Sequence, residues 1–62
     1  MDARWELIDP NYLLPGVGQV EHVADARRWS ARACGRDLGQ FDSVADAMAA
    51  VEAAGRELGL LS

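Results

Sequence analysis

The feature that most constrains the fold of this chain is a change in the spacing of its apolar residues at Ser43. Between residues 17 and 41 apolar and polar residues largely alternate, which is the period of a β-strand with one buried face. After Ser43 the apolar residues recur every three or four positions, which is the period of an amphipathic helix. The change predicts an α+β domain in which an antiparallel sheet packs against one C-terminal α-helix.

The alternating region divides into three predicted strands, at residues 17–23, 28–34 and 36–41. The first two are joined by Ala24-Asp25-Ala26-Arg27, a connection of hairpin length, and the last two by a turn at Cys34-Gly35. We therefore predict a three-stranded antiparallel sheet over residues 17–41.

The four-residue connection also predicts the register of the first hairpin. It places Val20 opposite Ala31 and His22 opposite Trp29. In this register Val20, Ala31 and Ala33 face the helix, and we expect Trp29 to be buried between the sheet and the helix.

The predicted helix covers residues 43–58. Ser43 is a suitable N-cap, and Asp46 at the third helical position suits the positive end of the helix dipole. Gly55 and Gly59 are alternative ends, and we favour Gly59 because the amphipathic pattern continues past Gly55. The apolar stripe consists of Val44, Ala47, Met48, Val51, Ala54 and Leu58.

Residues 1–16 form an N-terminal arm whose structure is the least determined by its pattern. Its segment 5–8 is able to add an edge strand, and turn signals at Asp9-Pro10-Asn11 and Pro15-Gly16 lie on either side of Tyr12-Leu13-Leu14. The arm can cover a sheet edge of its own chain or of a second copy. We favour the monomer over a homodimer, because the two turns allow the arm to fold back locally.

The chain has 62 residues and a net charge of −4, so we expect a single domain, residues 1–62. A chain of this length buries only about 60% of the surface of its unfolded form. Its single cysteine, Cys34, excludes a disulfide within the chain. No segment has the pattern of a signal peptide or the roughly 18 apolar residues of a membrane span, so we expect a cytoplasmic protein without membrane contact.

We expect no enzymatic activity, catalytic residue, cofactor or metal. Cys34 and His22 are the only soft metal ligands, whereas a structural zinc site takes four ligands at characteristic spacing. The same pair lacks the third, orienting group of a nucleophilic site. Asp37 and Asp42 have structural roles at a turn and at the helix start, which argues against a catalytic carboxylate pair. The segment 16–18 is not a phosphate loop, because no helix opening with Lys-Ser/Thr follows it.

One stretch of the chain resembles a known family. Trp29-Ser30-Ala31, the segment 38–43 (LGQFDS) and Ala47 resemble the plant ethylene-response-factor DNA-binding domain and its relatives in bacterial and phage integrases and endonucleases. The resemblance covers about residues 17–56 and implies a three-stranded antiparallel sheet packed on a C-terminal helix. It also implies a function, because that family reads the major groove of DNA with the outer face of its sheet, mainly through arginines and tryptophan.

The residues that the resemblance places on this outer face are mostly not of the DNA-reading type. Only Arg32 is of the arginine or tryptophan type that the family uses to read DNA. Glu21 and Asp37 would lie near phosphates and lower the affinity for DNA. The candidate partner-facing residues are Gln19, Glu21, Ser30, Arg32 and Asp37. The candidate contacts to a DNA backbone are Arg27, Arg28, Arg32 and Arg36.

From these observations we expect a small accessory or inhibitor protein that binds an unidentified protein partner through its sheet face or edge. We do not expect nucleic acid as the main partner, since the chain is acidic overall. Small compact chains of this kind are typical of phage or mobile-element genomes. Two alternatives remain open: a degenerate DNA-binding module that places its sheet in the major groove, and a self-associating structural protein that uses an exposed Leu60-Leu61 tail or an open sheet edge.

Overall fold

The computed structural model describes residues 4–61, which form one antiparallel sheet and one α-helix. The helix, α1 (Val44–Glu57), follows the last strand and packs on one face of the sheet. The α+β class predicted from the sequence is therefore confirmed. The strands lie side by side in chain order and are β1 (Glu6–Ile8), β2 (Asn11–Leu14), β3 (Gly18–Val23), β4 (Arg28–Ala33) and β5 (Arg36–Phe41).

The prediction of an edge strand within residues 5–8 is confirmed by β1, but the sheet has five strands rather than three, because the N-terminal arm also contributes β2. Its strands β1 and β2 form a hairpin, and β2 pairs with β3 through Tyr12 and Val20. Strand β3 is consequently an interior strand of a five-stranded sheet. The run Tyr12-Leu13-Leu14 carries no alternation, and its pairing with β3 supplies the order that its own pattern does not indicate.

The predicted register of the β3–β4 hairpin is confirmed. Val20 lies opposite Ala31 and His22 opposite Trp29. The connection contains a short 3₁₀ turn (Ala24–Ala26), after which Arg27 adopts a left-handed conformation with φ of 51°. Four-residue hairpin loops built around a helical turn are among the common connections of antiparallel strands.

Strand β5 has the predicted bounds but contains an irregularity. Gly39 lies opposite Ala31 and Asp37 opposite Arg32, so Leu38 is an extra residue that forms a β-bulge. Gly39 has a φ of +97°, a conformation that glycine adopts without a steric penalty. The bulge therefore depends on a glycine at position 39.

Both predicted ends of the helix are confirmed. The Ser43 hydroxyl oxygen accepts a hydrogen bond from the Asp46 backbone N–H at 3.1 Å, as an N-cap does. The helix passes through Gly55, and Gly59 follows it with a φ of +74°. The Leu60 N–H then donates to the Gly55 carbonyl at 2.8 Å, which satisfies one of the free carbonyls at the helix end.

The core lies between α1 and the central strands, and three details differ from the prediction. Trp29 is half-buried rather than buried, because its ring lies near the sheet end beside His22 and Tyr12. Leu58 is 52% exposed, and Gly55 lies on the buried side instead. Leu61 is buried rather than part of an exposed tail. The core residues are Leu14, Val17, Val20, Ala31, Ala33, Ala47, Val51 and Leu61.

Candidate functional site

The face of the sheet opposite α1 has no element packed on it within residues 4–61, and we call it the open face. Side chains alternate between the two faces along a strand. Because Val20, Ala31 and Ala33 point into the core under the helix, their neighbours along β3 and β4 point to the open face. The open face therefore spans the sheet without a neighbouring element among the described residues.

The structure places the five candidate partner-facing residues together on this face. Gln19 pairs with Arg32 and Glu21 with Ser30 across β3 and β4, and Arg32 pairs with Asp37 across β4 and β5. Residues that are directly opposite in neighbouring strands have Cβ atoms about 5 Å apart. The five residues therefore form one continuous patch across three strands.

The N-terminal hairpin enlarges this patch in a way that was not predicted. Leu13 pairs with Gln19, and Glu6 pairs with Leu13, which extends the open face over β2 and β1. Ile8 lies on the same face and is 55% exposed. Turn signals on both sides of Tyr12-Leu13-Leu14 were the one indication in the sequence that a strand lies there.

The open face carries both signs of charge but has more acidic than basic groups. Glu6, Glu21 and Asp37 lie on it together with Arg28 and Arg32. Arg28 is close to Asp42, with 3.9 Å between the guanidinium Nε and the carboxylate oxygen. A phosphate backbone laid across this face would meet carboxylates on three of its five strands.

The four candidate DNA-backbone arginines do not gather in one place. Arg27 and Arg28 lie at the end of the sheet where β3 turns into β4, and Arg32 and Arg36 lie near the opposite end, where β4 turns into β5. Only Arg28 and Arg32 belong to the open face by alternation. The arrangement is two separated pairs rather than a basic patch.

Two carboxylates of the open face bond to groups of the protein itself. Asp37 accepts a hydrogen bond from the Gly39 backbone N–H at 2.9 Å. Glu21 accepts one from the Gln19 side-chain amide. Within residues 4–61 the ion pairs join Arg28 to Asp42 and Arg56 to Glu52, and neither involves Arg32.

A shallow cavity of about 340 Å³ opens at one end of the open face, between the β2–β3 turn and the β4–β5 turn. Leu13, Gln19 and Arg32 line it from the sheet surface, and Cys34 lines it from the turn. Its remaining lining residues are Leu14, Gly16, Val17, Gly18, Ala33 and Gly35. Three of these are glycines, so backbone rather than side chains forms much of the wall.

The two residues considered for metal or nucleophilic chemistry are far apart in the fold. Cys34 is exposed in the β4–β5 turn, and its thiol donates a long hydrogen bond to the Val17 carbonyl at 3.7 Å. His22 is near the other end of the sheet, with its ring centroid 4.6 Å from that of Trp29. In the described part of the chain, no three of the His, Cys, Asp and Glu side chains lie close enough to hold a metal ion.

Among residues 4–61, α1 is too short and too polar to cross a membrane. Comparisons of this chain with protein-family models, curated proteins and solved structures found no match.

Proposed function

We propose that this chain is a small non-enzymatic accessory or inhibitor protein of the cytoplasm that binds a protein partner through the open face. One observation carries the proposal: the sheet face opposite α1 is uncovered within the described residues and combines the apolar Ile8 and Leu13 with hydrogen-bonding side chains. An antiparallel sheet tolerates water on one face, so exposure alone does not indicate a partner. The mixture of apolar and polar residues on the open face is what supports a protein partner.

The open face combines apolar and polar groups as transient protein interfaces do. Ile8 and Leu13 supply apolar surface over the N-terminal hairpin, and Gln19, Ser30 and Arg32 supply hydrogen-bonding groups beside it. Non-obligate interfaces have this mixed character, and arginine is enriched in them. The composition therefore suits a partner that binds and leaves rather than a permanent subunit.

The size of the face leads to the same class of complex. Strands about 4.8 Å apart and up to six residues long give a surface of about 20 Å by 20 Å. A standard stable interface buries about 800 Å² on each partner, which is more than this face offers in projection. We therefore expect a dissociation constant in the micromolar range.

The DNA-binding alternative has weaker support. Arg28 and Arg32 lie on the open face, as a major-groove reader requires, but Glu6, Glu21 and Asp37 share that face. Each carboxylate near a phosphate opposes the release of counterions that drives such binding. For this reason we favour a protein over a nucleic acid as the partner.

Site-specific cross-linking in the native host tests the proposal. A photoreactive phenylalanine analogue replaces Ser30 on the open face in one variant and Ala49 on the exposed side of α1 in the control. We expect one dominant protein adduct from position 30 and none from position 49. The adduct partner is then identified by mass spectrometry and purified for binding measurements.

The binding measurements decide whether the open face is the interface. Glu21→Arg should weaken binding of the purified partner about tenfold or more, as expected for a charge reversal inside an interface. Glu57→Arg makes the same change of charge at the end of α1 and should leave the affinity unchanged. Equal effects of both variants, or an adduct from position 49 alone, would contradict the proposal.

A further inference from the structure

The cavity at the end of the open face has an uneven chemical lining. Among the described residues Arg32 is its only charged lining residue, and Leu13 gives it apolar surface, whereas Leu14, Val17 and Ala33 line it from the buried core. The chain as a whole has a net charge of −4. Glu21 and Asp37 lie nearby on the open face but do not line the cavity, so the charge that a ligand meets inside it is the Arg32 guanidinium, which is complementary to an anion that carries an apolar portion.

The Arg32 guanidinium forms no ion pair with a carboxylate among the described residues. Asp37 is its cross-strand neighbour, and a regular strand would place the two side chains side by side. Instead the Asp37 carboxylate accepts the Gly39 N–H, which the bulge leaves available. Asp37 is thus bound to its own strand.

The other acidic neighbour is occupied in a similar way. Glu21 lies on β3 two residues beyond Gln19, the β3 partner of Arg32. Its carboxylate accepts the Gln19 side-chain amide. No ion pair of the described residues involves Arg32, and the donors of its planar guanidinium match the two oxygens of a carboxylate.

We propose that this cavity binds the side-chain carboxylate of an aspartate or glutamate on the protein partner. The inference rests on the proposed function, and it names the chemistry that the open face recognises. An open cavity of about 340 Å³ accommodates a side chain rather than a folded segment. The carboxylate pairs with Arg32, and an adjacent apolar group of the partner packs against Leu13.

The glycines at the cavity wall are part of this site. Gly16, Gly18 and Gly35 carry no side chain, so an incoming carboxylate can approach the backbone of both turns. The Cβ positions of Gly16 and Gly35 have no atom within 4 Å, so these two glycines leave space open at the turns, whereas the Cβ position of Gly18 faces the backbone of β4.

A titration with three N-acetylated dipeptides tests the inference without a known partner. The probes are Ac-Leu-Glu-NH₂, its uncharged analogue Ac-Leu-Gln-NH₂, and Ac-Leu-Gln-OH, which carries only a terminal carboxylate. Each is added to the full-length ¹⁵N-labelled protein, and the shifts of the backbone amides and of the arginine Nε signals are followed. We expect weak, saturable binding of Ac-Leu-Glu-NH₂ with the largest shifts at Arg32, Gly16 and Gly35.

The expected differences between probes and variants are specific. Ac-Leu-Gln-NH₂ and Ac-Leu-Gln-OH should each bind at least about threefold more weakly than the glutamate probe, since a partly exposed ion pair contributes modestly. Arg32→Gln should weaken the glutamate probe by a similar factor. Arg28→Gln removes an arginine already close to Asp42 and should have no effect.

Three results would overturn the inference: no shift at the cavity, equal binding of the glutamate and glutamine probes, or tighter binding of the terminal carboxylate. All three comparisons use the unmodified protein, so they stand even if Arg32→Gln unfolds. If the dipeptide titration fails but cross-linking from position 30 succeeds, the proposed function stands without this site. If the titration succeeds but cross-linking fails, the cavity binds carboxylates but the open face does not bind a protein partner.

Discussion

Gly18 shows how one residue is constrained by the approach of two strands. It has an ordinary strand conformation, so backbone strain does not select glycine there. A Cβ at this position would come within 2.2 Å of the Arg32 carbonyl oxygen and 2.8 Å of the Ala33 Cα. These are backbone atoms of β4, and they cannot move away without separating the two strands.

We therefore expect Gly18→Ala to lower the free energy of unfolding by about 3 kcal/mol or more, a large share of the stability of a domain this small. Gly16→Ala is the matched control, because Gly16 has a φ of +78° but open space around its Cβ position. Its cost should be about 1 kcal/mol, from the left-handed conformation alone. Urea denaturation followed by circular dichroism measures both, and equal losses would refute the steric explanation.

Trp29 contributes through ring contacts at the sheet end. Its ring centroid lies 6.0 Å from that of Tyr12 and 4.6 Å from that of His22, and the side chain is half-buried. Trp29→Ala should cost about 2–3 kcal/mol, below the range for fully buried tryptophans. Trp29→Phe keeps an aromatic ring and should cost about half as much. Thermal unfolding of Trp29→Ala close to that of the unmodified protein would contradict this role.

At the scale of elements, the start of α1 depends on a local hydrogen bond. The Ser43 hydroxyl oxygen accepts from the Asp46 N–H, and this bond satisfies one of the free N–H groups of the first turn. Ser43→Ala should lower the free energy of unfolding by about 1 kcal/mol, whereas Ser43→Asp restores an acceptor and should be nearly neutral. Chemical denaturation of the two variants provides the measurement. If Ser43→Asp lowered the free energy of unfolding as much as Ser43→Ala, the hydroxyl would not act as a helix cap.

The end of α1 depends on packing as well as on local bonds. A Cβ at Gly55 would come within 2.9 Å of Leu61 and of Val17 side-chain atoms. The chain after Gly59 folds back, and Leu61 fills the space that a larger residue at 55 would take. For this reason Leu61 belongs to the core while Leu58 points to solvent.

The two edge strands of the sheet are poor templates for pairing. Strand β1 has only three residues. Strand β5 has the bulge at Leu38, and the Asp37 carboxylate occupies the Gly39 N–H. Short length, bulges and inward-bonded charges are the usual means of preventing edge-to-edge association.

At the scale of the whole molecule, these edges lead us to expect a monomer. The N-terminal hairpin covers the edge of β3 within its own chain, and the Trp5 indole N–H donates to Glu52 of α1 at 2.7 Å. Sedimentation equilibrium should give the monomer mass at micromolar concentration. A variant lacking residues 1–10 loses β1 and Trp5, and the exposed edge of β2 should make it self-associate. A full-length dimer that becomes monomeric on truncation would identify the arm as an intermolecular interface.

The net charge of the whole molecule also predicts a low affinity for nucleic acids. The net charge is −4, and carboxylates share the open face with Arg28 and Arg32. Random duplex DNA should therefore show no detectable binding at micromolar protein in physiological salt. A gel shift that weakens steeply as salt is added would support the DNA-binding alternative. Glu21→Arg, with its reversed charge, is an informative comparison in the same assay.

Local sequence patterns were sufficient to predict the register of the β3–β4 hairpin and the two ends of the helix. The four-residue connection between β3 and β4 allowed only one register that buries Val20 and Ala31, because a slip of one residue would turn every side chain to the other face. Ser43 and Gly59 mark the helix limits through bonds to nearby backbone. Features of this kind depend on residues close in sequence, so the sequence alone was enough to predict them.

Only the tertiary structure decided the number of strands, the burial of Leu61 and the isolation of Arg32. The sequence indicated an edge strand at residues 5–8, where β1 lies, but β2 has no alternation and gains its order from pairing with β3. Leu61 is buried because Gly55, six residues earlier, leaves space beside Val17. Asp37 bonds to the Gly39 N–H beside a bulge that the sequence pattern did not indicate. Each depends on contacts between segments whose relative positions exist only in the folded chain.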